Sequence, residues 1–129
     1  MPPAAPLGER ELDIMMVLWS TGSGTVEEVR QQLGVALAYT TVLTILRNLE
    51  AKQFVRHEEE GRVHRYFPRV RQSTAQKNAV ARLLGSLFDN SPEALIARLV
   101  DDHGVTPGEL QRLARKLKAR SDLSSPGDD

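Results

Sequence analysis

Apolar residues recur along most of this chain with the spacing of helices, and the clearest run lies at Ala38–Glu50. Val42, Ile45, Leu46 and Leu49 stand at i, i+3, i+4 and i+7, the stripe of a helix resting on a core. Thr40, Thr41, Thr44, Arg47 and Asn48 fill the remaining arc. Those groups suit base edges and phosphate oxygens better than the Glu and Lys that usually coat a solvated face. By itself the stripe reports burial and not a partner, so an ordinary amphipathic helix fits it equally. Thr40 or Tyr39 is expected at the helix start, where a hydroxyl can cap free backbone N–H groups.

Upstream, Glu9–Trp19 predicts a helix with Leu12, Met15, Met16 and Trp19 on its apolar side and Leu18 alongside. Trp19 is either a stacking platform or a core anchor, and its Met and Leu neighbours favour the anchor. A turn follows at 20–24. Thr25-Val26-Glu27-Glu28 then reads as a cap with first-turn acids, opening a helix to about Leu33 whose apolar side is Val26, Val29 and Leu33. Downstream, Phe54–Glu58 and Val63–Phe67 are strand-like runs around Glu59-Glu60-Gly61-Arg62, where Gly61 supplies a hairpin's positive φ. Three helices followed by a two-stranded ribbon is the layout of a winged helix-turn-helix with Arg62 at the wing tip. The acidic run Glu58–Glu60 would be repelled by nucleic acid, so these carboxylates are expected to point away or to pair with Arg56 and Arg65.

The second half is again helical in pattern. Residues 73–88 carry Val80, Leu83, Leu84, Leu87 and Phe88. Ser91-Pro92-Glu93 is a cap, a first-turn proline and an acid, opening a helix with Leu95, Ile96, Leu99 and Val100. Thr106–Glu109 is a capping box before Leu110, Leu113 and Leu117. Three short amphipathic helices in some fifty residues cannot bury their leucines alone, given how little core so small a lobe builds. A symmetric pairing of two chains would bury them, and packing onto the first lobe is the plainer alternative. The expected dimerisation residues are therefore Leu84, Leu87, Phe88, Leu95, Ile96, Leu99, Leu110, Leu113 and Leu117. The basic residues Arg112–Arg120 read as a solvated face and a complement to the helix dipole.

Composition narrows the chemistry. With 129 residues, 17 basic and 17 acidic side chains, the formal charge is zero. The distribution is uneven, because Gly61–Phe88 holds six Lys or Arg and no acid. Screening confines each charge to roughly 8–10 Å, so a local basic band can meet phosphates despite the neutral sum. Cysteine is absent, which removes disulfides, thiolate nucleophiles and sulfur-rich metal sites. No Gly-x-Ser-x-Gly turn or P-loop occurs, so no enzyme is expected. His57, Glu58 and His64 across the hairpin could approach a metal, yet neighbouring strand residues diverge; Asp101-Asp102-His103 lacks ligand spacing. No cofactor or metal is expected. Without an apolar run of about 18 residues or a signal segment, the protein is expected to be cytoplasmic, with no membrane partner.

Leu12–Trp19, Ala38-Tyr39-Thr40-Thr41-Val42 with Thr44, Leu46 and Leu49, and Gly61-Arg62-Val63-His64-Arg65-Tyr66-Phe67-Pro68 together resemble the BlaI/MecI type penicillinase repressors. The resemblance spans residues 7–120. The Pro-rich opening at 1–6 reads as a disordered tether and 121–129 as a disordered tail; the resemblance implies a winged-helix DNA-binding domain at 7–70 and a helical dimerisation domain at 71–120. It further implies a homodimeric repressor on a dyad operator before antibiotic-resistance or envelope-stress genes. By position, Thr41, Thr44 and Arg47 would face the major groove, Tyr39 and Thr40 the backbone, and Arg62 would sit on the wing. A sensor protease would be a partner, cutting near the helix that holds Arg98-Leu99, although the residues here differ from an Asn-Phe pair. Gln53 stands where relatives often carry Gly, so a frayed or differently closed helix end is expected there. The competing class is a protein- or small-molecule-binding module that uses the winged helix without operator recognition.

Overall fold

The computed structural model describes residues 6–123, which leaves most of the expected tether and the tail beyond Leu123 outside the described residues. Six helices and one small sheet follow in the order α1 (Glu9–Thr21), β1 (Gly24–Thr25), α2 (Val26–Gln32), α3 (Tyr39–Ala51), β2 (Val55–Glu60), β3 (Val63–Pro68), α4 (Gln72–Leu87), α5 (Pro92–His103) and α6 (Pro107–Leu123). This is a winged helix followed by helices. The chain divides into two compact units, with the boundary after Val80, inside α4.

In the first unit, α1 opens where the Glu11 carboxylate accepts the Gly8 N–H at 2.8 Å. Its buried residues are Ile14, Met15 and Leu18, while Leu12 and Met16 are 44% and 49% exposed. The expected stripe is therefore rotated. Apolar residues at 12 and 14–19 surround this helix almost completely, so periodicity alone does not choose the inward arc. Trp19 is the anchor: it packs on the core and its indole Nε1–H donates to Val70 O at 2.8 Å. α2 begins with the capping box read from sequence, Thr25 Oγ1 accepting the Glu28 N–H at 3.2 Å and Glu28 Oε1 accepting the Thr25 N–H at 3.3 Å.

The sheet is antiparallel, in the order β1-β3-β2. Its hairpin turns on Gly61 at φ 64° and runs from Glu60↔Val63 at the tip to Val55↔Pro68 at the foot. The two residues of β1 add a third strand that the sequence pattern does not announce, pairing Gly24 with Tyr66 and Thr25 with Arg65. Gly24 is needed there for space, because a Cβ at this position would lie 2.9 Å from Val29 Cγ2. Ile14, Met15, Leu18, Val26, Val29, Val42, Leu46, Leu49, Phe54, Val55, Tyr66 and Val70 close one core. By the area rule each such large side chain contributes about 1.5–3 kcal/mol.

The helices of the second unit start as their sequences prescribe. Ser91 Oγ accepts the Ala94 N–H at 3.1 Å ahead of Pro92. Thr106 and Glu109 form a reciprocal box at 3.0 and 3.1 Å. α6 continues to Leu123, three residues into the stretch expected as tail. None of the described side chains from 81 to 122 is fully buried. Among the expected dimerisation residues, Leu87 is 75% exposed and Leu113 is 50% exposed. Ile96, Leu99 and Leu117 are also exposed, and Leu84, Phe88, Leu95 and Leu110 are half-buried.

Candidate nucleic-acid interface

α3 presents two chemically distinct faces. Val42, Leu46 and Leu49 are fully buried, and Leu43 and Ile45 pack at the margin of the core. At 100° per residue, Thr40, Thr44, Arg47 and Asn48 fall within about 55° of the pole opposite that stripe. All four are exposed. Thr41, also exposed, lies on the flank of this arc, and Tyr39, 45% exposed, projects from the first turn on the core side. Asn48 is thus closer to the outward pole than Thr41, although sequence reasoning left it out of the expected contacts. An amide there has the donor and acceptor pair that fits adenine.

The start of the helix corrects one expectation. Its N-cap is Ala38, with no side-chain cap bond; Tyr39, Thr40 and Thr41 are the first three helical residues. Their backbone N–H groups point out of the helix start beside their own side chains, which leaves positive dipole at this end. The other end corrects a second. Gln53 sits at φ 72°, and Gln53 N–H to Glu50 O at 3.0 Å with Phe54 N–H to Leu49 O at 2.9 Å closes the helix. This is the bond pattern glycine usually supports, so the end is neither frayed nor differently closed. Arg69 Nη1 donates to the Gln53 amide oxygen and braces it.

The wing separates its charges by strand alternation. On one face Arg56 lies 4.3 Å from the Phe67 ring centre and pairs with Glu58, and Arg65 pairs with Glu60 at 2.6 Å. The acidic run is thereby held largely by arginines of its own hairpin, as expected. On the opposite face His57 and His64 stack with ring centres 4.2 Å apart, and His57 Nδ1 lies 2.6 Å from Glu50 Oε2 of α3. His57 and Glu58 therefore point to opposite sides. Among the described residues no three His, Asp or Glu side chains gather as metal ligands. Tyr66 lies behind this pair, its phenol pushed up by burial and by the Glu50 carboxylate and held down in part by Arg47. Arg62 is exposed on the turn, and neither Arg47 nor Arg62 enters an ion pair among the described residues.

A three-helix core whose third helix turns polar groups outward, next to a hairpin wing with an exposed arginine at its tip, defines a winged helix-turn-helix DNA-binding protein. The chain belongs to the penicillinase repressor family, whose model it matches over residues 7–119. It is 32% identical over 118 residues to the transcriptional regulator BlaI of Mycobacterium tuberculosis, covering 88% of this chain and 86% of that protein. The penicillinase repressor of Bacillus licheniformis is 23% identical over 87% of this chain and 89% of its own length. In structure, the chain resembles the DNA-binding domain of the repressor BlaI, with a TM-score of 0.51 and 30% identity over 57% of this chain and 93% of that domain. Among the described residues no helix is long and apolar enough to cross a membrane.

Proposed function

We propose that the chain is a homodimeric repressor that reads a dyad operator in front of antibiotic-resistance or envelope-stress genes. The observation that carries this reading is the outward arc of α3, exposed and unpaired, beside a wing in which Glu58 and Glu60 pair with Arg56 and Arg65 and whose tip cation is free of ion pairs among the described residues. Thr41, Thr44 and Arg47 contact bases, Tyr39 and Thr40 contact the backbone near the helix start, and Arg62 contacts a flanking phosphate. Two copies place their α3 helices about 34 Å apart, in successive major grooves on one side of the duplex. Leu84, Leu87, Phe88, Leu95, Ile96, Leu99, Leu110, Leu113 and Leu117 supply the surface that joins the copies. The exposure of Leu87, Ile96, Leu99, Leu113 and Leu117 in the single chain supports that role, since large exposed apolar side chains on soluble proteins mark association sites when they cluster. Release through a sensor protease would act on the α5 segment around Arg98-Leu99, which is exposed.

The test is footprinting of the full chain on the DNA upstream of its own gene. Two protected half-sites one helical turn apart are expected, with binding that weakens steeply as salt rises. Equal affinity for a scrambled duplex of the same length would refute operator recognition and leave a partner-binding module in its place.

A further inference from the structure

A cleft of about 470 Å³ lies where the end of α1 meets the stretch joining β3 to α4. Leu18, Trp19, Pro68 and Val70 make its apolar wall, Arg69 and Arg71 also line it, and no acid does; the Arg69 guanidinium is engaged by the Gln53 amide oxygen. The cleft is an open groove, and like small-molecule sites it combines an apolar lining with a few polar groups. The bond from Trp19 Nε1 to Val70 O fixes the indole in the wall. Arg71 is exposed and has no ion-pair partner among the described residues. An apolar wall with one unpaired cation, a second within reach and no carboxylate complements an organic anion, and it disfavours a cation or a bare sugar.

The location separates this cleft from the wing tip. Pro68 is at the foot of the hairpin and Val63 at the tip, so five steps of about 3.3 Å put the cleft some 17 Å from Arg62's turn. It is nevertheless tied to α3. Arg69 donates through its backbone N–H to Phe54 O at 2.8 Å and through Nη1 to the Gln53 amide oxygen. Gln53 holds the left-handed position that ends α3. An anion that draws the Arg69 guanidinium into the cleft takes the brace away from that residue.

We propose that this cleft binds a small carboxylate with an apolar body, held by Arg71 and Arg69, and that occupancy is felt at the end of α3 through Gln53. Binding stands apart from the operator reading; only its consequence for DNA rests on that reading, so the experiment contains no DNA. The full chain is titrated with octanoate while Trp19, the single tryptophan, is followed by fluorescence and by its indole N–H resonance, together with the Gln53 side-chain amide resonance. A saturable response of both residues is expected. Binding should weaken roughly tenfold for 1-octanol, for acetate and in Arg71→Ala, about the worth of one charge-assisted contact, and should largely survive in Arg71→Lys. An absent or unsaturable Trp19 response overturns the site. Equal binding of octanol, or unchanged affinity in Arg71→Ala, reduces it to an apolar patch, and equal binding of inorganic phosphate reduces it to a bare anion site; either refutes the proposal. A Trp19 response with a silent Gln53 refutes the link to α3.

Discussion

Arg65 grips Glu28 with two parallel bonds, Nη1 to Oε1 at 2.9 Å and Nη2 to Oε2 at 3.0 Å, and so fastens the wing to the second helix. The same guanidinium reaches Glu60 through Nε and Ser23 Oγ through Nη1. One side chain therefore connects the hairpin, the turn before β1 and the helix that supports α3. The fork geometry of arginine makes this possible; lysine would offer one point charge in place of two aligned donors.

The grip should be sensitive to acid. Hydrogen bonds from Arg65, and then from the Thr25 N–H, hold the Glu28 carboxyl below its ordinary value of 4.5 against a smaller desolvation effect. A carboxyl lowered by folding stabilises the protein above its unfolded value, and that contribution disappears as pH falls through the folded value. Glu28→Gln is expected to melt lower than the parent at pH 6 and to approach it as acid takes the pH below the folded value, where the parent has also lost the charge. Melting curves that stay parallel over that interval would show that the pair adds nothing to stability.

Gly24→Ala tests the three-stranded sheet. The new methyl would meet Val29 Cγ2, which belongs to a fully buried side chain that cannot swing into solvent. Overpacking of this kind costs typically about 1–3 kcal/mol. Urea denaturation should show a lower midpoint with an unchanged slope. An unchanged midpoint would mean that β1 shifts freely and is not a fixed part of the core.

The helices, the hairpin and its turn were legible because local chemistry dictates them: Thr25 and Thr106 meet their glutamates, Ser91 precedes a proline, and Gly61 takes positive φ. What remained hidden depended on tertiary partners. Leu12 and Met16 are as apolar as Ile14 and Met15, and only the packing of the whole unit decides which pair turns inward. β1 has two residues, too few for any period to register. The cap at Ala38 carries no hydroxyl, so the eye moves to the threonines beyond it. At Gln53 the missing glycine suggested a frayed end, yet Arg69, sixteen residues on, braces the strained position. The outward arc of α3 was legible, but which of its residues stands nearest the pole needed the observed buried stripe.

Gln53 itself can be measured. A non-glycine residue in the left-handed region costs on the order of 1–2 kcal/mol, and glycine does not incur it. Gln53→Gly also loses the Arg69 bond, a surface contact worth about 0.5–1.5 kcal/mol at most. The expected net change is between a loss of about 0.5 and a gain of about 1.5 kcal/mol, and Arg69→Ala should destabilise the parent more than it destabilises the glycine variant. Additive effects in that double-mutant cycle would show that the brace does not act on the cap.

Arg47 should matter to DNA and little to the fold. Its side chain is exposed and outside every ion pair among the described residues. Arg47→Ala is expected to weaken operator binding by roughly 10- to 100-fold, the range of one good base contact, with melting nearly unchanged. Parallel titrations on operator and scrambled duplex separate the cases. Loss on the operator alone marks a base contact, and equal loss on both marks a phosphate contact.

Leu113 offers the sharpest test of association. It lies one turn from Leu117 and three residues from Leu110, and it is half exposed in the single chain, so it carries little of that chain's own packing. In a two-fold pairing each substitution enters the interface twice. Leu113→Asp would therefore remove two apolar anchors and bury two carboxylates, each costly unless paired. Sedimentation at micromolar concentration should show monomers, with the helical circular dichroism kept because the residue faces outward before association. Operator affinity should fall by a factor of 10² or more, since the second half-site contact would no longer be intramolecular. A variant that sediments as an unchanged dimer would move the interface away from this face of α6, and a monomer that binds the operator as tightly as the parent would remove the need for two copies.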